Sequence, residues 1–519
     1  VSINRRIAFG AASVWLNRGI VIALRLVLIP VLFHYRPKEE VGIWMLLGQT
    51  WALIGILDLG FSATLTRRIA LAKGKSGSDP NGPLGEESRR EIADLIASGR
   101  RICFWLAIGT FVVGSVAGFL YLRQLHVAFL SLPTMCMAWG IICLSSSLGV
   151  WSEIWIWLMQ GLGYIGWQFA IASALDILTI VLQIVAVMMG GGLVALAMTM
   201  AIGPVLLRFL LLRFARKWRP ELFALRGKLD AALLRSLISP SLRAWITSLG
   251  IFVVMYSDPY LIAQLKGVSQ IPAYRAAWLI FLNLNALSIA AALASAVFVS
   301  HLWQAGLFHE MQRVVLRNLR LGLSIVACGG ACVLILGPRL FNLWLGQGNF
   351  VGYPLLAIFF VMFFLETQAA IISTCSRATE DEVFAPWSIA AGTLKIILSL
   401  SLGIRFGLTG IALGTLLALA LTNHWFMTYR GLRRLRMSFW QHGSRVLLPV
   451  GLVFAATCAS VWLVEQPLRD APAWRGVLAG GTVAGLILAA ALWMLALDKS
   501  ERARALVYLR AANQQGEHL

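Results

Sequence analysis

Two arginines, Arg18 and Arg25, interrupt the first long apolar run of the chain. They stand at i and i+7, two helical turns apart on one face. At the rise of an α-helix, Arg18 falls near the middle of that run and Arg25 nearer its far end. An ionised side chain inside a membrane costs several kcal/mol unless it faces protein or water. Arg25 can snorkel to an interface; Arg18 has little chance of doing so. A guanidinium stays charged, and its planar fork grips phosphate oxygens in pairs. The two arginines therefore either line a water-filled path for an anionic passenger or pair with carboxylates between helices.

The acidic residues within apolar runs are Asp58, Glu153, Asp176, Asp258 and Glu366, with Lys395 as a further cation. Each carboxylate can be a proton or cation relay, a partner for the arginines, or a polar contact between helices. Asp58 lies beside Gly60, which permits close helix approach and favours the helix-pairing role. Asp258 precedes Pro259, where a break frees backbone groups that need polar partners. Glu366 and Lys395 are candidates to neutralise each other.

Catalytic patterns are missing. The chain has no HExxH, GxSxG or GxxxxGK[ST] sequence. The histidines are scattered among loops and span ends, and the seven cysteines sit in or beside apolar runs without a CxxC pair. Such cysteines behave as small hydrophobes rather than as a disulfide or metal framework. The expectation is a protein that is not an enzyme, with no cofactor and no metal.

The elements that must carry these residues follow from composition. The chain has 519 residues, 59% hydrophobic and 13% charged. Soluble domains average about 25% charged and 45–50% apolar. The apolar residues fall in blocks of about 20, the length that spans about 30 Å of hydrocarbon. We therefore expect an all-α polytopic membrane protein with about 14 transmembrane helices. The first block lacks a small-residue cleavage site and reads as a retained helix.

Lys and Arg number 44 against 23 Asp and Glu, a formal charge of +21. The basic loops 67–101, 213–235, 301–320 and 430–445 and the tail after Asp498 all fall on one side of such a bundle. The positive-inside rule then places both termini in the cytoplasm. The charge is thus a topology signal, and nucleic acid is not an expected partner. We expect a six-helix lobe over 1–215, a cytoplasmic amphipathic linker over 216–237 and a second six-helix lobe over 238–429. A basic loop with two additional helices over 430–497 and a cytoplasmic tail over 498–519 complete the chain. Glu86–Arg101 and Arg216–Leu237 alternate basic and apolar residues at helical spacing and suit interfacial helices. The intervals Trp15 to Trp44 and Trp245 to Tyr274 match, a weak echo of the parallel repeats common in transporters.

Two runs carry a resemblance. Gly42–Thr50 (GIWMLLGQT) followed by Leu57–Ala70 (LDLGFSATLTRRIA) resembles the second-helix region of bacterial Wzx-type polysaccharide flippases. These belong to the multidrug/oligosaccharidyl-lipid/polysaccharide exporter superfamily. Asp258–Gly267 (DPYLIAQLKG) followed by Ala273-Tyr274 is similar to the family's seventh-helix pattern. The resemblance implies two pseudo-symmetric six-helix lobes alternating between inward and outward openings. It implies a passenger of undecaprenyl pyrophosphate bearing an oligosaccharide, for O-antigen or exopolysaccharide synthesis at the bacterial cytoplasmic membrane. It also implies a polysaccharide polymerase and glycosyltransferases as partners. Arg18 and Arg25 are placed like the first-helix arginines of lipid II flippases, and Arg275 stands beside Tyr274. The expected sites are then Arg18, Arg25 and Arg275 for pyrophosphate, and Asp58, Asp258 and Glu366 for coupling or helix pairing. The other readings are a drug or cation antiporter of the superfamily, a lipid II flippase, or a catalytic or scaffolding membrane component.

Overall fold

The apolar blocks fold as helices because a segment in hydrocarbon must satisfy every backbone polar group within itself. The computed structural model describes residues 20–54, 61–76, 82–225, 249–379 and 385–495 except 22, 126, 128–129 and 226, together with 227 and 245. Among the described residues there is no β-strand. Among the described residues ten helices are long and apolar enough to cross a membrane, and a shorter apolar helix spans Ala23–Tyr35. The protein is an all-α polytopic membrane protein. The expected spans 8–33, 41–66 and 241–264 run partly outside the described residues, as do Arg18 and Asp58.

Contacts divide the chain between Pro272 and Ala273. The first unit holds α1 (Ala23–Tyr35), α2 (Lys38–Ile54), α3 (Phe61–Gly74), α4 (Glu86–Leu122), α5 (Leu132–Gly161), α6 (Ile165–Met188) and α7 (Leu193–Trp218). A short α8 (Glu221–Ala224), α9 (249–256) and α10 (Asp258–Leu265) follow, then a 3₁₀ turn over Val268–Gln270. The central helix is α5, packed against α3, α4 and α7. Leu65, Ile69, Leu95, Trp157, Leu158 and Leu211 form the buried core there, and Trp155 stacks on Phe223 with centroids 5.7 Å apart.

The stretch Glu86–Arg101 is not a separate interfacial helix. It is the first part of α4, which continues unbroken for 37 residues, about 55 Å. Glu86 and Glu87 occupy its first turn, where the helix dipole favours negative charge.

The second unit holds α11 (Ile271–Ser288, whose first two residues lie in the first unit), α12 (Ala290–Gln304), α13 (Phe308–Leu345), α14 (Tyr353–Arg377) and α15 (Ala385–Leu419). A π-helical segment (Ala420–His424) leads into α16 (Trp425–Arg434) and a short α17 (Phe439–His442). A second π-helical segment (Gly443–Leu447) leads into α18 (Leu448–Glu465), and α19 (Ala473–Leu495) follows. The central helix is α13, packed against α12, α14, α18 and α19. Lipid offers no hydrophobic drive between helices, so close packing must hold them. Accordingly a Cβ at Gly322 would meet the Ser288 carbonyl oxygen at 2.7 Å, and one at Gly480 would meet Leu336 Cδ1 at 2.6 Å.

Two expected spans, 384–403 and 407–427, form one hairpin. Gly407 takes φ 64°, a left-handed value that glycine adopts freely. Ser399 Oγ donates to the Ile411 carbonyl at 3.0 Å. Residues twelve apart in a straight helix would lie about 18 Å apart, so the chain turns back at Gly407.

Candidate functional site

In the first unit α1 carries Arg25 and α6 carries Asp176, and the two charges attract one another. Both residues are exposed at the protein surface. The sequence places them about 150 positions apart, so only the packed fold brings them near each other. Of the two readings of the first-helix arginines, the nearness of Asp176 to Arg25 keeps carboxylate pairing open beside the water-filled path. Glu40, which sequence reasoning did not single out, is buried between Arg36 (3.8 Å) and the start of α7. It accepts from the Leu193 backbone N–H at 2.7 Å and so caps an orphan donor of that helix.

The turn that directly follows the run Asp258–Gly267 touches the run that begins at Gly42. A Cβ on Gly42 would overlap the Val268 carbonyl oxygen and lie 2.8 Å from its carbon. Glycine at 42 is what lets the 3₁₀ turn after α10 rest against α2. The chain breaks before Asp258-Pro259 as expected: α9 stops, Ser257 intervenes, and α10 restarts with Pro259 in its first turn. Asp258 is buried at 1% exposure in that first turn, favourably placed for the helix dipole. Tyr121 at the end of α4 packs edge-on against Tyr260, centroids 5.5 Å apart.

At the other end of α4 a cavity of about 680 Å³ is lined by Arg68, Lys75, Arg90 and the acidic Glu86, Glu87, Glu91 and Asp94. Lys75 Nζ donates to Glu87 at 3.0 Å and Glu91 at 2.8 Å. Those carboxylates, Glu91 foremost, raise the Lys75 ammonium above its ordinary pKa. Charges of both signs here clamp α3 to α4.

In the second unit Arg275 is buried on α11, its guanidinium carbon 5.9 Å from the centre of the Trp278 ring. Tyr274 and Trp278 pack edge-on against Phe359 of α14 at 5.1 and 5.5 Å. Glu366, on α14, has a partner the sequence did not suggest. His424 Nε2 lies 3.0 Å from Glu366 Oε2, while Lys395 is fully buried on α15. His424 therefore sits inside a span rather than at its end, on the π-helical segment, whose wider turn is common at functional positions. His424 Nδ1 and Asn423 Oδ1 are buried without a hydrogen-bond partner. The polar triplet Thr422-Asn423-His424 in an apolar block was the available signal.

Helices α18 and α19 are pinned to α13 at both ends. Arg320 donates to the Arg445 and Leu495 carbonyls at 2.7 and 3.2 Å. Arg339 pairs with Glu465 at 3.2 Å and donates to the Leu468 carbonyl at 2.6 Å. The face of α19 carrying Gly476, Gly480, Ala484 and Ala491 is buried. Among the described residues no group of His, Cys, Asp or Glu is arranged to hold a metal ion.

The family model described as polysaccharide biosynthesis protein matches residues 9–299, and the chain belongs to that family. No curated protein sequence matches the chain. Among solved structures it is similar to the lipid II flippase MurJ in an inward closed conformation, with a TM-score of 0.65 at 13% identity. That match covers 93% of this chain and 98% of the other. An inward-facing multidrug resistance MATE family transporter of the MOP superfamily matches with TM-score 0.64 at 12% identity, covering 80% and 96%. A MOP superfamily transporter from Pyrococcus furiosus matches with TM-score 0.58 at 12% identity, covering 83% and 95%. The fold is that of the transporters of this superfamily.

Proposed function

We propose that the protein is a flippase that carries a polyprenyl-pyrophosphate-linked oligosaccharide from the inner to the outer leaflet of the bacterial cytoplasmic membrane. It acts by alternating access, in the synthesis of a cell-surface polysaccharide such as O-antigen or exopolysaccharide. The single observation that carries this reading is the presence of cations within the first span, in a chain of the polysaccharide biosynthesis family. A pyrophosphate cannot cross hydrocarbon alone, and its sugars would abandon their hydrogen bonds to water. Arg18, Arg25 and Arg275 would hold the pyrophosphate while the polyprenyl tail stays in lipid. Asp176 lies near enough to attract Arg25, and an arriving pyrophosphate would compete with it for that cation.

Both termini lie in the cytoplasm, and the lobes 1–215 and 238–429 carry the alternation. With the cytoplasm negative, outward movement of each negative charge is favoured by about 2.3 kcal/mol per 100 mV. Resetting of the empty carrier would draw on Asp58, Asp258 or Glu366. A cationic drug would meet repulsion in the first span, which disfavours the antiporter reading.

The test is appearance of labelled lipid-linked oligosaccharide in the outer leaflet of proteoliposomes under an inside-negative potential. Arg18→Ala should strongly reduce translocation at near wild-type protein abundance. Arg18→Lys should recover part of it, because an ammonium keeps the charge and loses the fork. Full transport by well-inserted Arg18→Ala protein would sink the mechanism, as would faster export of a labelled cationic drug than of the lipid.

A further inference from the structure

The segment Arg430–Arg445 (RGLRRLRMSFWQHGSR) holds five arginines and no carboxylate, and the passenger path uses none of them. The fold gives these arginines different duties. Arg434 donates from Nε and Nη2 to the hydroxyl and carbonyl of Thr379 at 2.9 and 2.7 Å. Its guanidinium carbon also lies 4.7 Å from the centre of the Trp303 ring, so Arg434 fastens α16 to its neighbours. Arg433, Arg436 and Arg445 are exposed, and among the described residues their guanidinium groups have no hydrogen bond or ion pair.

Arg436 also stands where its residue type is unfavourable. The Met437 N–H donates to the Leu432 carbonyl at 2.8 Å and the Arg436 N–H to the Arg433 carbonyl at 3.2 Å. In this way of ending a helix the left-handed residue is usually glycine. Arg436 takes φ 57°, the one positive φ among the described residues other than glycine. A side chain kept there against the backbone cost points to a role for that side chain. Gln312 Nε2 holds the turn by donating to the Arg436 carbonyl at 2.6 Å, and the guanidinium carbon lies 3.8 Å from the centre of the Phe308 ring. The ring orients the fork and occupies none of its donors.

Depth decides what the fork meets. Phe439–Leu468 is one helical span, with Trp440 and Trp462 exposed at 82% and 51%. At 1.5 Å per residue the two rings' backbones stand about 33 Å apart. Tryptophan gathers at both boundaries of a hydrocarbon layer about 30 Å thick, so Trp462 marks one boundary and Trp440 the other. Tyr429 of α16 stacks on Phe439 with centroids 6.0 Å apart, which sets it level with that second boundary. Arg433 lies one turn, about 6 Å, beyond Tyr429 along α16, and Arg436 shortly precedes α17. Both are therefore outside the hydrocarbon, at the depth of head groups. Arg445 lies one turn nearer the bilayer centre than Trp440 and reaches the same level by snorkelling. By the orientation proposed above this is the cytoplasmic end, where the leaflet is anionic and attracts basic segments.

We propose that the turn from α16 into α17 is a docking surface for anionic phospholipids of the cytoplasmic leaflet, with Arg433 and Arg436 taking head-group phosphates and Phe439 and Trp440 seated between the head groups. Phe308 positions the Arg436 fork. The surface uses none of the residues assigned to the passenger.

The purified full-length protein is titrated with phosphatidylglycerol, and bound lipid is counted by native mass spectrometry. Parallel arms use phosphatidylcholine, inorganic phosphate and undecaprenyl pyrophosphate. Wild type should hold phosphatidylglycerol about tenfold more tightly than the Arg433→Gln/Arg436→Gly double variant. It should also prefer it to phosphatidylcholine, with inorganic phosphate failing to displace it. Arg436→Gly separates lipid binding from folding, because glycine takes φ 57° freely. Its thermal midpoint in phosphatidylcholine should match or exceed wild type while phosphatidylglycerol affinity falls about threefold. Unchanged affinity in either variant overturns the proposal. A midpoint for Arg436→Gly well below wild type also overturns it, since the arginine would then serve the fold. Displacement by inorganic phosphate, which would mark a free-anion site, does so too. Tighter, Arg436-dependent binding of undecaprenyl pyrophosphate overturns it as well, by making this a docking point for the passenger. None of these outcomes bears on Arg18 or on the sidedness of Ser76 and Gln270, so this surface and the flippase reading fail separately.

Discussion

Replacing Gly42 with alanine should destabilise the first unit, although alanine is the better helix former. The gain is local: alanine in place of a mid-helix glycine is worth about 1 kcal/mol. The loss is tertiary. The added Cβ would overlap the Val268 carbonyl oxygen, with the carbonyl carbon at 2.8 Å and Val268 Cβ at 3.5 Å. The obstacle is backbone in a 3₁₀ turn that follows Gly267 at φ 87°, so no side-chain rotation relieves it. Overpacking of this kind costs about 1–3 kcal/mol, and a backbone obstacle belongs at the upper end. The expected net loss is therefore about 1–2 kcal/mol, or about 2–8 °C in Tm for a unit of this size. Gly48, on the same helix, supplies the control: a Cβ there meets nothing within 4 Å. Gly48→Ala should match or slightly exceed wild type. The assay is thermal unfolding of the detergent-purified protein followed by tryptophan fluorescence, at one fixed scan rate because such unfolding is commonly irreversible. Equal midpoints for Gly42→Ala and Gly48→Ala would refute the argument that this contact requires glycine.

Glu366→Gln should cost about 1–3 kcal/mol by stranding the buried His424, and His424→Gln should cost less, because Glu366 is only half-buried. The double variant should cost less than their sum in a thermal-unfolding cycle; strict additivity would mean the 3.0 Å contact is idle. Arg339→Ala should raise hydrogen exchange in α18 and α19 with little change in α14, because it removes the Glu465 and Leu468 contacts. Lys75 has a raised pKa, so its clamp is intact below the unfolded value of about 10.4 and is lost as pH rises through the folded one. Lys75→Gln should flatten the alkaline end of the stability profile without changing the midpoint near neutral pH by much, and an unchanged alkaline slope would contradict this. Single cysteines at Ser76 and Gln270, labelled from one side of intact cells, should react on opposite sides of the membrane; labelling from the same side would break the orientation.

The spans were legible because their cause is one-dimensional. A block of about 20 apolar residues is a helix wherever hydrocarbon forbids unpaired backbone groups. The break at Asp258-Pro259 was legible for the same reason, since proline acts on its own helix. Glu86–Arg101 was misread as a separate helix because charge patterning reports where a helix meets water, not where it ends. The hairpin at Gly407 brings Ser399 to Ile411 through a single left-handed residue, and a glycine in an apolar block carries no label saying that it turns. His424 was passed over because its worth lies in a glutamate 58 positions away.

The arginines show why site assignment lags behind fold assignment. From sequence, each arginine inside an apolar block poses one problem, a charge that must be compensated. The fold solves it in different ways. Arg320 and Arg339 spend their donors on carbonyls and one glutamate at the ends of α18 and α19, which makes them fasteners. Arg25 has the carboxylate of Asp176 near enough to attract it. Arg208 leans on the Trp151 ring and the Trp151 carbonyl, compensation by a ring face and one dipole. Residue type is therefore the same for a structural clamp and a transport site. What separates them is the partner, and the partner is fixed by tertiary packing.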